Sequence, residues 1–556
     1  MIWLLYAACA GFLTLFLIAP VAIAIGGVSL SNLAEIAQHP VLRDGVFNAL
    51  GIASVTTVAC LAIALPLAWI AARYRFAGRG VAEALLLAPL ILPPFVGAIG
   101  FVQVLGRHGA LNALLVGLGI VAPGQEIDWL GDHRLAAVVA IEALHLYPFL
   151  YLTTTAALAR LDPALVEAAR AAGAGPLTVW RRVLLPLLAP GLFAGASVVF
   201  VWSFTELGTP LMLGFDRHLA VQIFNGLAEV EKNRLPFAQV VVMLTLAALI
   251  YGIGQGIFGR RADALGKGAS APWPTVALRG WWAVAAASPF VVVIILAAAP
   301  HAAVALLSFS GEWYGTVLPR WFTTDHYAQA LAHPHVVPGI LNSLLYAGAA
   351  TVLAGSLGAA IAWIAVRARP FGWQGLDLLA MLPLAVPGLI IAFGTLVLGV
   401  LLASVPVLGP IIDPRQNPTL LLICAYAVRR VPYVVRAVAA GLQQTPVALE
   451  EAAAACGAGP WLRLTRIVLP LIAASLAAGM LLTFSFSMLE VSDSLVIAQK
   501  RDFWPITRVL YSLTEILGNG PALACAFATW CMLFLACALW TASALTGRGA
   551  GRLLRD

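Results

Sequence analysis

The chain has 556 residues, 62% of them hydrophobic and only 10% charged, with a formal net charge of +7. A soluble chain carries about 25% charged residues, so this composition excludes a soluble enzyme or a polar-surfaced nucleic-acid binder. The apolar residues fall in long runs separated by short charged loops, and a run of about 20 crosses a bilayer as a helix, the form that satisfies its own backbone there.

In chain order, the first run, 2–29, begins MIWLLYAACAGFLTLFLIAP. No charged segment precedes it, so it reads as a retained span and not as a cleaved signal peptide. Spans 2 to 6 are expected near 49–72, 81–105, 135–159, 184–205 and 236–258. The polar, Gly/Ala/Pro-rich stretch GRRADALGKGASAPWP opens a linker over 259–280. Spans 7 to 12 are expected near 281–308, 341–366, 374–403, 418–442, 467–489 and 521–546. The seven cysteines lie in apolar or Ala-rich stretches without CxxC spacing, so no metal or disulfide role is expected.

Arginines sort the loops. Arg73, Arg75 and Arg79 follow span 2; Arg160, Arg170, Arg181 and Arg182 follow span 4; Arg260, Arg261, Lys267 and Arg279 follow span 6. Arg367 and Arg369 follow span 8, Arg463 and Arg466 follow span 10, and Arg548, Arg552 and Arg555 lie in the tail. With alternating spans these all fall on one side, which the positive-inside rule makes the cytoplasm. Both termini are then cytoplasmic.

The chain is written twice. WIAARYR at 69–75 answers WIAVRAR at 363–369, and Pro89, Pro93 and Gly100 recur as Pro383, Pro387 and Gly394, all at an offset of 294. Beyond the loop after the third span the offset becomes 284: Pro148 matches Pro432, Glu167 matches Glu451, Pro186 matches Pro470 and Glu206 matches Glu490. The expected architecture is an all-α polytopic membrane protein, a tandem of two six-span units, 1–258 and 281–556. An even span count gives both units the same orientation, with the pseudo-twofold axis along the membrane normal.

Two loops, 160–186 and 443–470, carry a shared pattern: EAARAAGAGPLTVWRRVLLP at 167–186 and EAAAACGAGPWLRLTRIVLP at 451–470. Asp162-Pro163 and Thr445-Pro446 read as N-caps followed by proline at the first helical position. The Ala-rich runs are strong helix, and Gly173 and Gly457 stand where a left-handed residue would end it. The result is a small-surfaced helix, a turn and a second short helix, placed to be gripped from the cytoplasm.

This pattern resembles the EAA loop of ATP-binding-cassette importer permeases of the type I fold. The resemblance implies that Glu167, Ala168, Ala169, Gly173 and Pro186, and likewise Glu451, Ala452, Ala453, Gly457 and Pro470, belong to coupling helices that seat in a cytoplasmic ATPase subunit. It further implies two copies of that subunit, a periplasmic substrate-binding protein, and a bacterial inner-membrane location. No GxxxxGK[ST] phosphate loop occurs in the chain, so no catalysis is expected here, and ATP and magnesium belong to the partner. The stretches LPPFVGAIGFVQVLGRHGALN (92–112) and VRRVPYVVRAVAAGLQQTPVALEEAAAACGAG (428–459) resemble the fused permeases of the ferric-iron importer family. Ferric iron, with or without bound anions, is the substrate this implies. Thiamine, phosphonate or polyamine import is the alternative, and a secondary transporter with 6+6 parallel repeats is the alternative of a different class.

Charges inside spans are expensive and mark function by default. The pathway candidates are His145, Arg429 and Arg430, with Glu142 and Arg436 as further intramembrane charges. Neighbouring helical residues diverge by about 100°, so one of Arg429 and Arg430 is expected to face the pathway and the other a neighbouring helix. Either could instead pair with Glu142 or a backbone carbonyl. Glu206 and Glu490, with Asp493, are expected at the periplasmic mouth, about 30 Å beyond Pro186 and Pro470. There they would line a gate or cap the following loop.

Overall fold

The computed structural model describes residues 2–90, 94–131, 134–227, 233–265, 273, 275–406 and 409–545. Pro93, Lys267, Arg548, Arg552 and Arg555 lie outside the described residues. The chain is helical almost throughout. Among the described residues ten helices are long and apolar enough to cross a bilayer, eleven if the bent pair Trp373–Leu384 and Gly388–Leu402 is one span. Thr419–Gln444 holds three arginines, too many for a span judged on composition alone, yet it is a 26-residue helix, most of it buried.

Two expected spans are not continuous. Trp373–Leu384 and Gly388–Leu402 meet at 104°; the break falls at Pro387, which precedes the second helix in a non-helical conformation. The first repeat is interrupted in the same place, with Arg79–Leu86 and Ala88–Leu90 followed by Pro94–Leu105. Span 2 begins earlier than expected, since the helix runs Pro40–Arg73 over 34 residues. At about 1.5 Å per residue that is about 50 Å, longer than the hydrocarbon. Proline at its first turn supplies the start that hydropathy alone did not locate.

By packing, the chain forms two compact units. One comprises Met1–Glu35, Phe224–Leu244 and the described part of Tyr327–Leu553; the other comprises Ile36–Ile223 and Thr245–His326. These are not the repeats read in sequence, because each unit takes its first span from the opposite repeat. In one unit the helix Ala19–Gly26 lies along Gly388–Leu402, and in the other Trp281–Ser308 lies along Pro94–Leu105. Small residues permit that approach: Gly394 faces the Pro20 carbonyl and Gly100 the Pro300 carbonyl, each too close for a β-carbon.

At the centre of each unit three helices pack together. They are Pro40–Arg73, Arg134–Ala159 and Leu185–Phe204 in one, and Val336–Trp363, Thr419–Gln444 and Leu469–Met488 in the other. A further piece of structure comes from the linker: Val276–Ala277 pairs in parallel with Tyr74–Arg75.

Candidate functional site

The loop between spans 4 and 5 folds as the helix Pro163–Ala171, a turn, and the short helix Pro176–Val179. A π-helical turn at Trp180–Leu184 then joins it to Leu185–Phe204. The second copy repeats this as Ala448–Ala455, Pro460–Arg463, a π turn at Leu464–Val468, and Leu469–Met488. Asp162 caps the first helix by accepting from the Ala164 amide at 2.9 Å. Thr445 does not cap the second: its hydroxyl donates to the Gly441 carbonyl at 3.0 Å, and the helix begins three residues later, at Ala448. A hydroxyl satisfied by the preceding turn is not free to cap the next helix.

Gly173 and Gly457 both have φ of +83°. In each loop the glycine amide donates three residues back, Gly173 to Arg170 and Gly457 to Ala454, and the next amide five back, Ala174 to Ala169 and Ala458 to Ala453. This pair of bonds is a Schellman closure, which needs a left-handed residue at that position. No atom lies within 4 Å of a β-carbon built on either glycine, so the constraint is the backbone and not space.

Both loops present the same face. Glu167, Ala168, Gly173 and Pro186 are exposed and Ala169 is half-buried; Glu451, Ala452, Gly457 and Pro470 are exposed and Ala453 is half-buried. Beside them stand exposed apolar side chains at matching positions: Leu165 and Leu177 in one loop, Leu449 and Trp461 in the other. Large apolar groups left open beside a charged rim are the composition of a docking surface.

The intramembrane charges separate into two unlike sets. In the second repeat, Arg429 and Arg430 both donate to Glu490, on its two different oxygens. Arg429 also reaches Asp493 at 3.2 Å. The expected divergence of the arginines is therefore corrected: two long side chains about 100° apart on the helix straddle a single facing carboxylate. Glu490 is 5% exposed and Asp493 is fully buried, so neither stands open to water at a mouth. Tyr426 bonds Ser494 at 2.6 Å beside them. The cluster holds two cations and two carboxylates, the pairing that buried charges require. Arg436, two turns further along, is exposed.

The first repeat lacks the arginines. Its Glu206 is half-buried, and its carboxylate accepts from the Gly208 and Thr209 amides at 3.1 and 3.3 Å, capping the helix Gly208–Met212. Glu142 is buried and accepts from Ser203. His145 sits beside the Pro89 backbone, and its Nδ1 has no hydrogen-bonding partner among the described residues. Sequence matching pairs Glu206 with Glu490, but their surroundings differ, because Arg430 is answered by Leu146 and Asp493 by Thr209.

One contact was missed in the sequence. Arg367 Nε pairs with Glu450 at 2.9 Å, tying the end of span 8 to the second loop helix. In the sequence Arg367 is one loop charge among several, and nothing in the spacing of the two residues points to the pair.

Two repeats, each carrying a Gly-turned helix pair with an open apolar face, define an importer permease that works with a separate ATPase and a binding protein. The chain belongs to the family described as "Binding-protein-dependent transport system inner membrane component", which it matches twice, at residues 64–264 and 354–544. It is a multi-pass permease of the ATP-binding-cassette class, not an enzyme, and ATP hydrolysis falls to another subunit. It is 27% identical over 455 residues to the "Probable ABC transporter permease protein y4fN" of Sinorhizobium fredii, covering 80% of this chain and 78% of that one. It is 26% identical to the ferric transport system permease protein FbpB of Actinobacillus pleuropneumoniae, covering 81% and 64%. A sulfate transport system permease protein, CysT of Salmonella typhimurium, is 31% identical, covering 35% and 70%.

Proposed function

We propose that this permease sits in a bacterial inner membrane and imports ferric iron, delivered by a periplasmic binding protein, in a complex with two ATPase copies. The observation that carries the two-copy reading is the duplicated loop: two helix pairs, each closed by a glycine at φ +83° and each presenting an apolar pair flanked by an exposed glutamate. A coupling helix must transmit a push, and a Schellman-closed, Ala-rich helix is stiff and closely approachable. Each loop serves one ATPase copy.

Ferric iron is supported by the extent of likeness: the ferric permease matches through 81% of this chain, and so through both repeats, whereas the sulfate permease matches 35%. The charge set agrees with a cargo carrying its own anions. Arg429 and Arg430 are paired with Glu490 and Asp493, so the buried cluster is not a bare cationic patch that would repel a metal complex.

Reconstitution tests this reading. The chain, its ATPase and the binding protein encoded alongside are placed in proteoliposomes and offered ferric citrate, sulfate, molybdate or spermidine. ATP-dependent accumulation of iron alone is the expected result. Accumulation of another of the four in its place overturns the substrate. Uptake driven by a proton gradient without ATP overturns the mechanism.

A further inference from the structure

The last carbonyls of a helix need donors, and the two repeats supply them differently at the end of the span that leads into the coupling loop. In the second repeat Arg367 does this: its Nη2 donates to the Leu442 carbonyl at 3.0 Å and the Thr445 carbonyl at 2.7 Å, while its Nε pairs with Glu450 on the coupling helix. The matching residues of the first repeat are Arg73, Leu158 and, for Glu450, Val166. Val166 is buried and apolar, so the ion pair has no counterpart there.

The Leu158 carbonyl is nonetheless answered, and by a residue of the linker: Trp273 Nε1 donates to it at 2.8 Å. Arg73, released from that task, lies with its guanidinium 5.5 Å from the Trp273 ring. Trp69 stands edge-on to Trp273 at 5.8 Å and to Trp180 at 5.1 Å. Trp180 opens the π turn that carries the coupling helix into span 5. Trp273 is itself fixed: it is buried, and just beyond it Val276–Ala277 pairs with Tyr74–Arg75 while the Leu278 amide donates to the Arg75 carbonyl at 2.9 Å.

We propose that Trp273 is a positioning residue for the first coupling helix, filling from the linker the place that Arg367 fills within the second repeat. The linker is then a working part of force transmission at one of the two ATPase sites and not a tether. A face-on cation–aromatic contact and a carbonyl-bound indole hold by packing and one hydrogen bond, whereas Arg367 holds by charge. This inference rests on the coupling-loop reading above.

Hydrogen–deuterium exchange of the full chain with its ATPase, in lipid nanodiscs, tests it. Trp273→Ala is expected to raise amide exchange at least tenfold through 163–184 and to leave 448–468 unchanged. Arg367→Ala is expected to do the reverse. Trp273→Phe, which keeps the ring and loses the N–H, should fall between wild type and Trp273→Ala, and it stands in if the alanine variant does not fold. Exchange that rises in both loops alike, or in neither, overturns the proposal. Gly173→Val separates the two readings: if it keeps its full complement of ATPase, the coupling assignment itself fails, whatever Trp273 does.

Discussion

The carbonyl oxygen of Pro20 occupies the place that a β-carbon on Gly394 would take, and the carbonyl of Pro300 stands in the same relation to Gly100. Each contact closes a first span onto the unit that otherwise belongs to the opposite repeat. Backbone meets backbone there, so relief cannot come from a side-chain rotation.

Gly394→Val and Gly100→Val are therefore expected to destabilise the purified chain, each by about 1–3 kcal/mol or more, the usual cost of overpacking. Gly348 is a control: it lies in the helix Val336–Trp363 with no atom within 4 Å of a built β-carbon. Gly348→Ala should be neutral or slightly stabilising, since alanine is the better helix former. Thermal unfolding in detergent reads all three, and equal midpoints would remove the close contact as a determinant of the packing.

Glu490 and Glu206 match in sequence but should not behave alike. Glu490→Gln leaves Arg429 and Arg430 short of charge in a buried site, and breaking a buried pair costs about 3–5 kcal/mol. Glu206→Gln keeps an oxygen to accept from the Gly208 and Thr209 amides, and should cost under about 1 kcal/mol. Unfolding midpoints of the two single variants should separate clearly. Indistinguishable losses would mean that the arginine cluster contributes nothing to holding the second repeat together.

At Gly173 and Gly457 a side chain is strained because φ is +83°. A left-handed conformation costs an ordinary residue about 1–2 kcal/mol, and β-branching adds to it. Gly173→Val and Gly457→Val should insert normally into the membrane while losing half or more of the ATPase recovered in affinity purification. Full recovery in either variant would separate the turn from docking.

Cys456 is exposed and stands immediately after the helix Ala448–Ala455 of the second loop. A membrane-impermeant maleimide should label it in inside-out vesicles, and bound ATPase should slow that labelling several-fold. A cysteine at Ala122, in a background without native thiols, should label from the opposite face. Labelling of both sites from one face would invalidate the assignment of sides.

What the sequence made legible was local. The helix ends at Gly173 and Gly457 and the Asp162 cap follow from residues within a few positions of one another, where backbone preference acts, and the offsets of 294 and 284 follow from matching such short patterns. Thr445 shares the pattern of Asp162, but its hydroxyl has a nearer acceptor at Gly441. The convergence of Arg429 and Arg430 on Glu490, the Arg367–Glu450 pair and the exchanged first spans were not legible. Each depends on which helix faces which across 60 residues or more, and apolar runs in lipid carry no period that says so. The prolines of spans 3 and 9 served only to align the repeats, and the 104° bend in span 9 was not expected from them.

The π turns at Trp180–Leu184 and Leu464–Val468 carry a further consequence. A π turn holds one residue more than the α-helix around it would need. Removing a residue from Trp180–Leu184 would let the helix wind regularly and swing everything before it by about 100° around the axis of span 5. The azimuth at which each loop helix points is thus stored in a single surplus residue. The two loops keep a common length from Glu167 to Pro186 and from Glu451 to Pro470, so they keep a common heading as well. A substitution away from Gly173 and Gly457 leaves that heading alone; an insertion or deletion would turn the whole loop helix while leaving every side chain in it intact.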